Sequence, residues 1–163
     1  MFVTSSAIQN GAFEDKYGKR GTQCSPNGMP TYSIPFEIHD APQGTKSFAV
    51  VLEDKDAITA SGFVWIHWLI ADLERTVIQE NESQSATDFI QGVNSWISDG
   101  TPVEACSYYG GMAPPDAPHV YEIHVYALDT MLDLKQGFKY NELYHQMDGH
   151  ILDQGTLKGI YKN

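Results

Sequence analysis

The chain has 163 residues, of which 42% are hydrophobic and 12% aromatic, and these values are typical of a single globular domain spanning residues 1–163. Ten basic residues against twenty-one acidic residues give a net charge of −11. This balance argues against a nucleic-acid partner and against stable membrane association, because both require a basic surface.

The first residues, MFVTSSAIQNGAF, lack the basic and apolar regions of a signal peptide. No apolar stretch reaches the roughly 18 residues that a membrane span needs. We therefore expect a cytoplasmic protein. Cys24 and Cys106 show no metal-binding spacing, and in that compartment both are expected to be reduced thiols.

Four segments are predicted to be strands. Residues 31–38 alternate in polarity and contain a proline, which favours an edge strand. Residues 47–52 and 63–70 are continuous apolar runs, as expected of strands covered on both faces. Residues 120–128 alternate instead, so that Tyr121 and its alternate neighbours should face one side of the sheet.

The remaining chain is predicted to be mostly loop with one clear helix. Residues 80–104 are rich in polar residues, glycine and proline, and a short helical piece near 85–90 has only a weak signal. Residues 140–147 carry apolar side chains at helical spacing, and Gly149 is placed to end that helix. The pattern indicates a mainly antiparallel β domain closed by a C-terminal helix.

The first candidate site motif follows the strand at 47–52. Asp54 and Asp56 lie at a strand end, where binding sites are commonly built, but for Asp56 the sequence favours a D-x-D turn in which one carboxylate caps backbone amides. His67 lies within the next apolar run and must either be hydrogen-bonded in the core or line a cavity, because an unpaired buried polar group costs about 1–3 kcal/mol. Asp54 could orient that imidazole.

The second candidate motif is the loop that begins Gly110-Gly111 and ends at His119, directly before a strand that starts near Tyr121. Adjacent glycines let a backbone approach a ligand, and their N–H groups can form an anion-binding nest, although most such loops are only connectors. The other histidines lack such a context and are interpreted as structural or surface groups: His39, His124, His145 and His150.

Together these motifs resemble the phosphatidylethanolamine-binding protein family, and specifically its bacterial and archaeal Raf kinase inhibitor protein-like branch. The matching blocks are D-K-D-A-I at 54–58, W-I-H-W at 65–68, G-M-A-P-P at 111–115, H-V-Y at 119–121 and Y-A-L-D at 126–129. Further matches are N-S-W at 94–96 and the tail from 149 to 161. The chain departs from the family pattern at Lys55 and Ile58, where prolines are usual, and at Val120, where an arginine is usual.

The resemblance implies a β-sandwich with a large antiparallel sheet, a smaller sheet and peripheral helices. It also implies a small anion-binding pocket at one end. In that pocket His67 and His119 would donate to phosphate-like oxygens, the N–H groups near the two glycines would add donors, and Asp54 would orient a histidine. The residues expected to bind the ligand are Asp54, Trp65, His67, Gly110, Gly111, Pro114, Pro115, His119 and Tyr121.

The leading hypothesis is a non-enzymatic binding module that holds a small anion, such as phosphate or a phosphomonoester, with no cofactor, no metal and no catalytic residue. Regulation of a partner protein, such as inhibition of a kinase or a protease, rests on family analogy alone, and a homodimer is left open. The alternative is a metal-dependent or acid–base hydrolase using Asp54, Asp56, His67 and His119, since two carboxylates and two imidazoles can ligate a metal that activates water.

Overall fold

The computed structural model describes residues 1–163 and contains ten strands in two sheets. The strands are β1 (Phe2–Thr4), β2 (Ile8–Gln9), β3 (Ala12–Phe13), β4 (Phe36–His39), β5 (Ser47–Asp54), β6 (Trp65–Leu73), β7 (Val77–Ile78), β8 (Ile90–Gln91), β9 (His119–Leu128) and β10 (Ile151–Tyr161). The helices are α1 (Ile58–Ser61), α2 (Val103–Cys106) and α3 (Tyr140–Met147), with two 3-10 turns at Asp15–Tyr17 and Ser95–Asp99. No helix has the length and apolar character needed to cross a lipid bilayer.

The predicted fold class is confirmed: a large sheet of order β2-β3-β10-β9-β5-β6-β8 accompanies a small antiparallel sheet of order β1-β4-β7. All but one of the pairings in the large sheet are antiparallel. The exception is β3, which pairs in parallel with β10 where Ala12 meets Ile160. The large sheet is therefore mixed rather than purely antiparallel.

Strand β5 lies in the interior of the large sheet, between β9 and β6, and each of its residues is buried. Its side chains alternate between two apolar clusters: Val50 and Leu52 contribute to the larger one, while Ala49 and Val51 contribute to the smaller one. A strand with a core on each face needs apolar residues at every position, which explains the continuous run in the sequence.

Strand β9 shows the predicted alternation. Tyr121, Ile123 and Val125 are buried in the larger cluster, whereas Glu122 and His124 are only half-buried on the opposite face. The helix α3 has the predicted bounds, and the Glu142 carboxylate accepts a hydrogen bond of 2.7 Å from the Lys139 N–H at its start.

Two expectations about secondary structure are wrong, and one long strand was not predicted. Residues 85–90 form turns rather than a helix, and their last residue begins β8. Within residues 31–38 only the part from Phe36 onward joins a sheet, and it forms the middle strand of the small sheet rather than an edge strand. The strand β10 was not predicted at all, because Gly155 and Gly159 occupy two of its inward positions and hide the apolar alternation; there they pack against the first residues of β1 and against Phe13.

Candidate functional site

The two candidate motifs converge at one edge of the large sheet. Asp54 is the last residue of β5, and it lies opposite Trp65 at the start of β6 and opposite Tyr121 near the start of β9. Antiparallel pairing therefore brings together strand ends that are far apart in the chain. His119, which begins β9, lies 2.7 Å from the Asp54 carboxylate although 65 residues separate them.

A cavity of about 430 Å³ opens at this edge. Six of the predicted residues line it: Asp54, Trp65, His67, Pro114, Pro115 and Tyr121. The other lining residues are Ala57, Ala60, Ser61, Phe63, Trp96, Ser98, Asp99 and Ala113. The remaining predicted residues, Gly110, Gly111 and His119, lie behind this lining rather than in it.

His119 is held between two carboxylates. Its Nδ1 lies 2.7 Å from Asp54 Oδ2 and its Nε2 lies 2.8 Å from Asp116 Oδ1. Because a carboxylate accepts hydrogen bonds, this arrangement favours the imidazolium form, in which both ring nitrogens carry a hydrogen. Burial lowers the pKa of His119, but the hydrogen bonds to Asp54 and Asp116 outweigh burial and raise the pKa overall. Both nitrogens of His119 therefore have partners in the ligand-free protein, and its direct contact with a ligand stays a prediction.

The two aspartates of the D-x-D motif make local backbone contacts. Asp54 Oδ1 accepts from the Ala57 N–H at 3.1 Å, which is the turn contact that the sequence favoured for Asp56. Asp56 Oδ2 instead accepts from the Val120 N–H at 2.9 Å and so secures the start of β9. Asp56 does not line the cavity.

His67 lines the cavity, and its buried Nε2 atom has no hydrogen-bond partner. Its Nδ1 lies 2.6 Å from the Gly110 carbonyl oxygen, so Nδ1 carries the hydrogen. Burial lowers the pKa of His67 to about 4, against the opposing effects of the Gly110 carbonyl and Asp54. At neutral pH the ring is uncharged, and Nε2 presents a lone pair. In the ligand-free protein Nε2 is therefore an acceptor, and donation from His67 to a bound anion stays a prediction.

The two glycines act through packing and through one carbonyl group. The Gly110 N–H donates to the His67 carbonyl and the Gly111 N–H donates to the Pro30 carbonyl, each at 2.8 Å. Neither of these two N–H groups is therefore free for an anion-binding nest in the ligand-free protein. A Cβ atom on Gly110 would lie 2.5 Å from Trp96 Cδ1, and one on Gly111 would lie 2.6 Å from Pro30 Cβ. Only glycine fits at either position.

Buried polar atoms without a hydrogen-bond partner mark the cavity. The protein has four such side-chain atoms: Nε1 of Trp65, Nε1 of Trp96, the Tyr121 hydroxyl and Nε2 of His67. All four belong to residues that line the cavity. Burial, followed by the charge of Asp54, raises the pKa of Tyr121, so its hydroxyl stays protonated. The wall therefore contains three unpaired donors and one unpaired acceptor, which a ligand could satisfy.

An aromatic wall continues to the cavity mouth. Phe63 stacks on Trp65 with ring centroids 5.6 Å apart, and Trp96 meets Trp65 edge-on at 5.8 Å. The sequence reasoning missed Phe63 and Trp96 as site residues. The N-S-W block was a usable signal for Trp96, because the Asn94 side chain accepts from the Trp96 N–H at 3.0 Å and fixes that turn.

The charges at the cavity are mainly acidic. Asp54 and Asp99 line it and no lysine or arginine does. The nearby positive groups are the His119 imidazolium behind Asp54 and Lys19, whose Nζ donates to the Pro114 carbonyl at 2.6 Å on the rim.

Among the residues of the hydrolase alternative, Asp54 and His119 bond to each other. Asp56 and His67 bond to backbone groups instead, and the four residues do not form a group whose ligand atoms could meet on one ion. The His and carboxylate groups close enough to share an ion are Glu53, Glu122 and His124, which lie away from the cavity lining. Ammonium groups of Lys55 and Lys158 already pair with these glutamates at 2.9–3.1 Å. No metal site is assigned to either place.

The remaining histidines lie outside the cavity lining. His39 meets the Thr4 hydroxyl at 2.8 Å and stacks on Phe2, while His150 pairs with Asp129 at 2.8 Å. His145 is exposed on α3.

Comparisons with known proteins agree with this architecture. The family model described as "Phosphatidylethanolamine-binding protein" matches residues 4–162. The uncharacterised protein YxkA of Bacillus subtilis is 37% identical over 156 residues, covering 91% of this chain and 93% of the relative. A UPF0098 protein of Chlamydia muridarum is 33% identical and covers 99% of both chains. The crystal structure of a phosphatidylethanolamine-binding protein homologue from Chlamydia trachomatis superposes with a TM-score of 0.79 at 29% identity, covering 99% of this chain and 96% of that one.

Proposed function

This chain belongs to the phosphatidylethanolamine-binding protein family, and we propose that its cavity binds the oxyanion group of a small molecule such as a phosphomonoester. Family membership supports a ligand-binding module. The observation that carries the oxyanion assignment is that all four unpaired buried polar atoms of the protein belong to residues lining one cavity. Three of them are the donors of Trp65, Trp96 and Tyr121, and oxyanion oxygens are the matching acceptors.

The organic part of the ligand would contact the apolar wall. Phe63 and Trp65 form a stacked pair in the lining, and Pro114 and Pro115 belong to the same lining. A pocket with mostly apolar walls and a few directed polar groups is the usual form of a small-molecule site. The acidic groups weaken attraction for anions at long range, so neutral donors at short range must supply the selectivity.

The hydrolase alternative receives less support from the geometry. A general acid or base must reach the substrate, but both nitrogens of His119 are bonded to Asp54 and Asp116. No serine, threonine or cysteine nucleophile pairs with His67, whose Nδ1 is taken by Gly110. Regulation of a partner protein such as a kinase, membership of the Raf kinase inhibitor protein-like branch, a cytoplasmic location and a homodimer stay predictions from the sequence.

The test measures the melting temperature with phosphate and with phenyl phosphate. Both should raise it by mass action, and phenyl phosphate should act at lower concentration because its ring can contact the aromatic wall. Trp96→Phe, which removes one donor and keeps an aromatic ring, should reduce the shift, while Tyr144→Phe on the exposed face of α3 should not. No shift with either ligand contradicts the proposal. A melting temperature that falls on chelation and recovers with zinc or manganese favours the metal-dependent alternative.

A further inference from the structure

We propose that binding of a fully deprotonated oxyanion in this cavity takes up one proton from solvent, and that Nε2 of His67 is the atom that receives it. The inference rests on the proposed function, because it concerns how that same cavity accepts an anion. It adds that the cavity responds to pH and favours oxyanions that can bring their own acidic proton.

The tautomer of His67 is fixed by its hydrogen bond to Gly110. Nδ1–H donates to the Gly110 carbonyl at 2.6 Å, and the Gly110 N–H donates back to the His67 carbonyl at 2.8 Å. Rotating the ring by half a turn would place the carbon Cδ2 against the Gly110 oxygen and lose that bond. The side chain is only 3% exposed, so water would not replace it. Nε2 is therefore the atom with the free lone pair.

An oxyanion and the Nε2 atom of a neutral His67 repel each other, because both present lone pairs. Nε2 has no partner in a buried position, and it belongs to the same cavity wall as the donors of Trp65, Trp96 and Tyr121. An oxyanion oxygen placed against Nε2 would oppose one lone pair to another. A proton on Nε2 converts that contact into a charge-assisted hydrogen bond, which is about twice as strong as a neutral one.

His67 is the proton acceptor because the neighbouring His119 and Tyr121 are already protonated. From β5 it faces Asp54, from β9 it faces His119 and Tyr121, and Asp99 also lines the cavity. His119 is already an imidazolium with both nitrogens bonded, so it cannot take up another proton. The Tyr121 hydroxyl is already protonated. In the empty cavity, burial keeps His67 neutral by lowering its pKa to about 4, and the charge of a bound anion reverses this balance.

In this step no covalent bond to the ligand forms or breaks, and only one proton moves. A sulfate dianion enters, one proton leaves the solvent or buffer, and His67 becomes an imidazolium. A phosphomonoester monoanion can instead share its own hydroxyl hydrogen with Nε2, so it should bind with less proton uptake than sulfate.

The test is titration calorimetry with sodium sulfate, which carries no proton of its own near neutral pH. Titrations at about pH 6, where an unperturbed histidine pKa of ~6.5 keeps His119 charged, are repeated in buffers with different heats of ionisation. The expected result is close to one proton taken up per sulfate, with affinity falling about tenfold per pH unit as pH rises. Inorganic phosphate at the same pH should show a smaller uptake.

Two variants assign the proton. In His67→Asn an amide N–H can still reach the Gly110 carbonyl, but Nε2 is gone, so proton uptake should vanish and sulfate affinity should no longer depend on pH. His145→Asn, an exposed position on α3, should behave like the wild type. If His67→Asn does not fold, the ¹⁵N chemical shift of His67 Nε2 in the wild type decides: it should move to the protonated range when sulfate is added.

The outcomes separate this inference from the proposed function. Sulfate that binds without proton uptake overturns the inference and leaves the oxyanion site standing. Proton uptake that persists in His67→Asn, or an Nε2 shift that does not respond to sulfate, also overturns it. Failure of both sulfate and phosphate to bind at any pH overturns the proposed function itself.

Discussion

His67 and Gly110, which lie 43 residues apart in the chain, hold each other by two hydrogen bonds, from ring Nδ1–H to the Gly110 carbonyl at 2.6 Å and from the Gly110 N–H to the His67 carbonyl at 2.8 Å. The pair ties β6 to the glycine loop that borders the cavity. It also fixes which nitrogen of His67 is left without a hydrogen-bond partner. Backbone geometry in a loop thus determines the hydrogen-bonding character of a binding-site side chain.

The first prediction is that His67 makes the folded protein sensitive to mild acid. Its pKa is lowered to about 4 when folded, so between pH 6.5 and pH 4 the unfolded chain binds a proton that the folded one does not. The free energy of unfolding should therefore fall as pH falls through this window, by about 3 kcal/mol from this group. Urea unfolding at several pH values, followed by tryptophan fluorescence, measures the slope.

The effect of His67 is isolated by comparing how the free energy of unfolding changes with pH in each variant, rather than by comparing stability at a single pH. His67→Asn should remove this component of the acid loss, whereas His145→Asn should keep it because His145 is exposed. His119 has the opposite sign: its raised pKa makes its contribution complete in acid and lost as pH rises through the folded value. An unchanged acid slope in His67→Asn would show that His67 is not buried in its neutral form.

The second prediction is that Tyr121→Phe stabilises the ligand-free protein and weakens oxyanion binding. The hydroxyl is buried without a partner, so its removal relieves a desolvation cost of roughly 1 kcal/mol. Tyr109→Phe is the matched control, because the Tyr109 hydroxyl donates to the Tyr17 carbonyl at 2.6 Å and its loss should destabilise by about 1 kcal/mol. Thermal unfolding with and without phosphate reports both effects, and a destabilised Tyr121→Phe protein would argue that the hydroxyl has a partner in solution.

The third prediction concerns the two carboxylates that flank His119. Asp54→Asn should cost about 3–5 kcal/mol, because it leaves a buried imidazolium without its buried partner. Asp116→Asn should cost less than about 1 kcal/mol, since the Asp116 side chain is 44% exposed. Both substitutions should lower the pKa of His119, and Asp54→Asn should lower it more strongly. NMR titration of the ring measures this pKa. Equal effects from the two substitutions would contradict the assigned burial of this pair.

The fourth prediction is that Gly110→Ala damages the cavity wall through packing alone. The added methyl group would lie 2.5 Å from Trp96 Cδ1 and 2.7 Å from Asn94 Nδ2, so Trp96 must move, at a cost of about 1–3 kcal/mol. Gly155→Ala in β10 is the control, because its nearest contact is 3.2 Å and a small adjustment accommodates it. Tryptophan emission and phosphate-dependent melting should change in the first variant only. A fully wild-type Gly110→Ala would contradict the close packing described here.

Much of the fold follows from apolar periodicity in the sequence. The central strands β5, β6 and β9 and the helix α3 were predicted close to their bounds, because each buries a face that the sequence marks with regular apolar residues. The pairing of β10 could not be read this way, since glycines stand where inward side chains would be. The short strands before residue 14 have two or three residues each and carry no periodic signal.

The candidate site was predictable in its location but not in its hydrogen bonding. A histidine in an apolar strand and a strand-end aspartate, together with the family resemblance, indicated a pocket, and the structure places Asp54 and His67 in one lining. The direction of each N–H group was not predictable, because it depends on partners elsewhere in the chain. The Gly110 N–H is used by His67, the Gly111 N–H is used by Pro30, and His119 is enclosed by Asp54 and Asp116.

The position of β10 has a consequence for synthesis of the chain. This strand lies between β9 and β3 in the large sheet and pairs with β9 over nearly its whole length, yet it comes after every other strand in sequence. While residues 151–161 remain inside the ribosome, β9 has an unpaired edge, which is a template for association with other chains. Nascent chains arrested before β10 emerges should be sensitive to protease and should bind chaperones. Once β10 is released and pairs with β9, both the protease sensitivity and the chaperone binding should end.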